Sequence, residues 1–139
     1  MTISQCDDLT ILKLHIFAPS SFIMEKIEKE NLILSLTLEF AIEIVKYCES
    51  LEEKKKFVIA KQLLKSGTSI GANVREAQNA ESKSDFIHKF KIAAKEAEET
   101  EYWLLICQNS NGYPDTKALM EKLKSIQKII NKIIVSSKA

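Results

Sequence analysis

The residues best placed to do chemistry are a row of cations, Lys54, Lys61, Lys65 and Arg75, with Lys55 and Lys56 at its start. Laid on a helix at about 100° per residue, the four fall near one side, together with Thr68 and Ala72. Such a row attracts phosphates through charge alone, without reading sequence. Lys54, Lys61, Lys65 and Arg75 are therefore the candidate nucleic-acid contacts, and a plain solvated helix face is the competing reading. An acidic cluster, Glu96, Glu98, Glu99 and Glu101, follows later in the chain. Glu98 and Glu101 sit at the margin of an apolar arc, where they can meet lysines of a neighbouring helix or subunit.

Catalytic and metal chemistry find little support. The two histidines are His15 and His88. Asp85-x-x-His88 and Glu98-x-x-Glu101 each place two polar groups one helical turn apart, but di-iron bundles need Glu-x-x-His on two helices, and that motif does not occur. His88 also falls on a polar side. No serine lies in a nucleophile-elbow pattern, and there is no phosphate loop or dinucleotide fingerprint. The expectation is a non-enzyme with no metal, no cofactor and no small-molecule substrate.

The second feature is Gly67-x-x-x-Gly71, within Leu63–Ala80, which holds two of the three glycines of the chain. Glycine inside a helix costs roughly 1 kcal/mol relative to alanine. Close approach of another backbone offsets that cost, because no Cβ intervenes. The flanks are too polar for a transmembrane dimer motif, so Gly67 and Gly71 are expected to pack helices of a soluble bundle. Ser66, Thr68, Ser69 and Asn73 are poor helix formers around them. They bond either across a helix interface or back onto their own carbonyls.

These residues need helices to position them, and the hydrophobic period supplies four. Ile33, Leu36, Phe40, Ile44, Tyr47 and Leu51 form the stripe of a first helix, about Asn31–Ser50. Leu34, Leu38, Ala41 and Val45 widen that stripe. Ser50-x-x-Glu53 fits a capping box and predicts a second helix from about Leu51 to Ala80. Ser82-x-x-Asp85 predicts a third, to about Asn109, with Phe86, Phe90, Ala93, Ala97, Thr100, Leu104 and Cys107 inward. Asn111-Gly112-Tyr113-Pro114 is a turn. Asp115 can cap a fourth helix, whose core side is Leu119, Leu123, Ile126, Ile130 and Ile133, with Lys117, Lys122, Lys124, Lys128 and Lys132 covering much of the rest. Short connections between four amphipathic helices predict an all-α, antiparallel up-down four-helix bundle. The extra apolar width on the first and third helices predicts self-association.

Composition agrees. The chain has 139 residues, 45% apolar and 28% charged, enough for one domain with a real core. Three glycines and two prolines are too few for an all-β fold. The net charge is only +1, but acidic stretches (25–53, 96–114) alternate with basic ones (54–95, 115–139), so local basic surfaces are compatible with it. Cys6, Cys48 and Cys107 are far apart, odd in number and without CxxC spacing, as expected of free thiols in a reducing cytoplasm. No apolar run reaches the length of a membrane span. Asp7 and Asp8 stand where a secretion signal needs positive charge.

Residues 1–24 stand apart from the pattern and are expected to be an N-terminal extension preceding a bundle domain at 25–139. Leu12, Leu14 and Ile16 give a weak strand signal, and Ala18-Pro19-Ser20-Ser21 breaks the chain. Three readings stay open: a disordered segment, a strand added to an edge elsewhere, or a start codon placed upstream of the true one at Met24.

The run from Phe57 to Ala77, FVIAKQLLKSGTSIGANVREA, resembles the signature of a bacterial four-helix bundle family whose members are often encoded in intervening sequences of large-subunit ribosomal RNA genes. Ala93-Ala94-Lys95-Glu96-Ala97 and Glu101-Tyr102-Trp103-Leu104 resemble its later motif, and the resemblance covers about Asn31 to Ile134. It implies an up-down bundle assembled as a homopentamer, with no established catalytic activity. A related branch, the accessory variability proteins of diversity-generating retroelements, binds a reverse transcriptase and nucleic acid. That branch tends to be more basic, so the net charge of +1 favours the intervening-sequence type. The resemblance thus makes RNA or a reverse transcriptase the expected partner.

Overall fold

The computed structural model describes residues 21–139. The weak strand signal at Leu12–Ile16 lies outside them. Four helices follow one another: α1 Ser21–Glu53, α2 Phe57–Ala77, α3 Lys83–Gln108 and α4 Lys117–Lys138. Each packs on its neighbours in sequence, and α4 returns to α1, which closes the ring of an up-down bundle. The backbones of the diagonal pairs, α1 with α3 and α2 with α4, stay more than 8 Å apart between Cα atoms. Among the described residues there is no strand.

The stripes read from the sequence become the core. Ile33, Phe40, Ile44 and Leu51 of α1, Phe90 and Leu104 of α3, and Leu123, Ile126 and Ile130 of α4 are wholly buried. Burying a side chain of this size contributes roughly 1.5–3 kcal/mol. Leu36 and Phe86 are only half-buried and pack on the edge of the core.

The first boundary differs from the expectation in two ways. Helix α1 begins at Ser21 rather than near Asn31, and it runs through Ser50 to Glu53. Ser50 does not cap α2; its hydroxyl donates to the Tyr47 carbonyl at 2.6 Å, one turn back in α1. The reason is Leu51, which continues the buried stripe and holds this turn in the helix. The helix instead stops at Lys55, in the left-handed region at φ 62°. The Lys56 N–H donates to the Leu51 carbonyl and the Lys55 N–H to the Glu52 carbonyl, both at 2.8 Å. These two bonds are a Schellman motif, with lysine in the position usually held by glycine. Lys56 also places its ammonium 5.1 Å from the centre of the Tyr113 ring, a cation–π contact. Helix α2 therefore starts at Phe57 with no side-chain cap, and ends at Ala77 rather than Ala80.

The other boundaries follow the sequence. The Asp85 N–H donates to Ser82 Oγ at 3.0 Å, and the Glu81 N–H donates to Asp85 Oδ2 at 3.2 Å. The Lys117 N–H donates to Asp115 Oδ1 at 3.2 Å, while Thr116 takes the cap position of α4.

At its two glycines α2 packs tightly against α1. A Cβ on Gly67 would lie 2.9 Å from Ile44 Cγ2, and one on Gly71 would lie 3.2 Å from Thr37 Cβ and 3.3 Å from the Thr37 carbonyl oxygen. Thr37 is itself pinned, its hydroxyl 2.7 Å from the Ile33 carbonyl. The polar residues near the glycines divide. Thr68, Ser69 and Asn73 bond back to the carbonyls of Leu64, Lys65 and Ser69. Ser66 is buried and reaches across to α3, its hydroxyl 3.0 Å from that of Thr100.

Candidate nucleic-acid interface

Lys61, Lys65 and Arg75 all lie on the outward face of α2 and are exposed. Lys54 is not on that helix. It sits in the tight α1–α2 connection, because α1 runs on past Ser50. The row on α2 thus has three cations, spread over about 21 Å at 1.5 Å per residue. Thr68 and Ala72 lie between them, Thr68 half-buried and Ala72 exposed. None of the three forms an ion pair with a described carboxylate.

Two neighbours shape this row. On the α3 side, Glu96 stands near Lys65. Burial and the charge of Glu99 raise the Glu96 pKa above the usual carboxylate range, and Lys65 opposes that shift. On the α1 side, Arg75 borders an apolar groove of about 150 Å³, lined by Leu34, Leu38 and Ala41 of α1 and by Thr68 and Ala72 of α2. The outer face of α1 continues this apolar surface: Leu38 is 57% exposed, Ile42 48% and Val45 38%.

The acidic candidates serve the scaffold. Glu101 Oε2 accepts a hydrogen bond from Gln127 Nε2 at 3.1 Å, and Glu101 Oε1 lies 3.9 Å from Lys124 Nζ, so this carboxylate ties α3 to α4. Glu99 accepts from the Trp103 indole at 3.3 Å. Asp85 spends its carboxylate on the Glu81 N–H, and His88 is exposed. Among the described residues no group of three or more His, Cys, Asp or Glu side chains could hold a metal ion.

A second basic surface escaped the sequence reading. Lys117, Lys124, Lys128, Lys132 and Lys138 are all exposed along the outward side of α4, with Glu121 the one carboxylate of α4 among them. At the end of the bundle Lys138 meets the start of α3 around an open depression of about 620 Å³, lined by Lys83, Ser84, Ile87, His88, Lys91 and Lys138. The four-residue step from Lys124 to Lys132 is legible in the sequence. The meeting of Lys83 and Lys91 with Lys138, more than forty positions away, depends on the antiparallel docking of α3 on α4.

Residues 29–132 match the 23S rRNA-intervening sequence protein family. The chain belongs to this family. Among solved structures, the 23S rRNA-intervening sequence bundle described here is similar to a protein of unknown function from the S23 ribosomal protein family of Bacteroides thetaiotaomicron. The two share 43% identity with a TM-score of 0.73, over 76% of this chain and 97% of that one. No curated protein matches the chain. The family match spans the glycine-bearing helix α2 and the whole of α3, so Gly67, Gly71 and the row of cations all lie within the matched residues. No described helix is long and apolar enough to cross a membrane.

Proposed function

We propose that this intervening-sequence family member is a non-catalytic, self-associating bundle that holds RNA, or an enzyme acting on nucleic acid such as a reverse transcriptase, through the outward face of α2. The observation that carries this reading is the row Lys61, Lys65 and Arg75, exposed and without a carboxylate partner among the described residues. Neutralising phosphates with three such cations gives an affinity that falls with salt at a log–log slope of roughly −2 for a single strand. The family's name supports an RNA setting, and the free, buried thiols of Cys48 and Cys107 support a reducing cytoplasm.

The test is RNA binding by the full chain at two salt concentrations, with Lys61→Gln/Lys65→Gln/Arg75→Gln as the comparison. Binding that weakens with salt, and a slope that flattens in the variant, uphold the reading. Absence of binding even at low salt overturns its RNA half.

A protein-interaction module with no nucleic-acid partner is the second reading, favoured by the apolar outer face of α1 at Leu38, Ile42 and Val45. The same face is the surface we assign to self-association, with five subunits as the resemblance implies. Light scattering that shows a monomer at micromolar concentration overturns the assembly. If Leu38→Glu/Val45→Glu abolishes function while the α2 variant retains it, the second reading stands.

A further inference from the structure

We propose that the far end of the outward face of α4, continued by the start of α3, is a second surface for nucleic-acid backbone, on the opposite side of the bundle from α2. The inference goes beyond the α2 reading and does not depend on it. Its residues are Lys128, Lys132 and Lys138 of α4 with Lys83 and Lys91 of α3.

Three observations converge on it. Lys83, Lys91 and Lys138 line the open depression of about 620 Å³, and Lys128 and Lys132 are exposed further back along α4. None forms an ion pair with a described carboxylate; the one fixed bond is Lys83 Nζ donating to the backbone oxygen of Ala139 at 3.1 Å. The charge is also asymmetric along α4. Toward its start, Glu121 and the Glu101 carboxylate offset Lys117 and Lys124. Toward its end no carboxylate lines the depression. Ammonium groups gathered around one depression repel one another in the free protein, and phosphates relieve that repulsion while releasing counterions.

The chemistry of the face selects among polyanions. A helix that lies on a membrane turns a broad apolar side toward the lipid. The apolar side of α4 is spent in the core, and Val135 is the one large apolar side chain it leaves exposed. A flexible phosphate backbone needs only spaced cations, which this edge supplies. Because α2 and α4 are diagonal in the bundle, one protomer then holds two separate stretches of backbone.

Acetylation footprinting of the full chain, with and without oligouridylate RNA, tests the proposal. The expected result is several-fold slower modification of Lys128, Lys132, Lys138, Lys83 and Lys91 in the presence of RNA, with Lys46 on α1, exposed and equally unpaired, unchanged. Lys128→Gln/Lys132→Gln/Lys138→Gln is expected to keep the helical circular dichroism and flatten the salt slope by about 2, from three lost single-strand contacts. Unchanged modification rates, or an unchanged slope in this variant, overturn the proposal. Protection by phosphatidylserine vesicles but not by RNA overturns the assignment to nucleic acid. The two basic faces fail separately: protection confined to Lys61 and Lys65 sinks the α4 surface and keeps the α2 one, while protection confined to the α4 edge does the reverse.

Discussion

Ile44 Cγ2 lies 2.9 Å from the point where a Cβ on Gly67 would stand. Real Cβ atoms do not come so close, so any side chain at Gly67 displaces Ile44. Ile44 is wholly buried and branched at Cβ, which leaves it few rotamers to retreat into. Overpacking of this kind costs about 1–3 kcal/mol, against which alanine returns about 1 kcal/mol of helix propensity. Gly67→Ala is therefore expected to destabilise the bundle by about 1 kcal/mol in urea unfolding. In an Ile44→Ala background the obstructing γ carbons are gone, and the same change should be neutral or stabilising. Equal effects in both backgrounds would show that the contact does not constrain the site.

The α1–α2 connection yields an opposite prediction. Lys55 holds a left-handed conformation at φ 62°, which costs an L-residue roughly 1–2 kcal/mol. Glycine adopts it without that penalty but loses more chain entropy on folding. Lys55→Gly should raise stability by about 0.5–1 kcal/mol, read as a higher urea midpoint with an unchanged slope. The same position explains an error of boundary. Sequence reasoning seeks a glycine or asparagine to end a helix, and here the end is made by a lysine. The capping-box pattern at Ser50 then drew α2 back by six residues and placed Lys54 on it.

Much else was legible because one physical signal decided it. Leu119, Leu123, Ile126, Ile130 and Ile133 all turn inward as their spacing requires, and Ser82 with Asp85 closes the start of α3 as the pattern demands. Amphipathic period and cap chemistry act within one helix, so they can be read along the chain. The Lys83–Lys138 edge joins two helices, and which of their lysines face one another follows from docking, not from either period alone. The division of Ser66 from Thr68, Ser69 and Asn73 is of the same kind. All four can bond to their own helix, and Ser66 alone finds a partner because Thr100 of α3 stands opposite.

Alkaline pH should weaken the bundle through its buried thiols. Burial pushes the Cys48 thiol up to about 12 from an ordinary value of 9.0. Cys107 is also raised by burial, partly opposed by a bond from Tyr47, and Tyr47 is itself raised, chiefly by burial. Above about pH 9 the unfolded chain releases thiol protons that the folded chain keeps. Their contribution is fully present below pH 9 and is lost as the pH rises toward 12, by at most about 1.4 kcal/mol per pH unit for each group. Lys122, raised first by its hydrogen bond to Glu43, adds a loss of the same sign at higher pH. Urea melts from pH 8 to 11 should show this decline, and Cys48→Ala should flatten it. With Cys6 replaced by serine, native protein at pH 8 should show no thiol reactive toward an aromatic disulfide reagent until it unfolds.

The Ser66–Thr100 pair allows a sharper test of how α2 and α3 recognise one another. The Thr100 hydroxyl has one proton, and the Glu96 carbonyl at 2.7 Å is its better acceptor. Its oxygen is then left to accept from Ser66 at 3.0 Å, whose alternative, the Leu63 carbonyl, is 3.4 Å away. Thr100→Val keeps the shape but strands a buried Ser66 donor, which should cost about 1–3 kcal/mol. Ser66→Ala leaves Thr100 with its carbonyl partner and should cost about 1 kcal/mol or less. Changing both removes the stranded group as well as the bond, so the double variant should be more stable than Thr100→Val alone. Additive losses in urea unfolding would mean that the two hydroxyls do not depend on one another, and that the α2–α3 contact rests on its apolar packing alone.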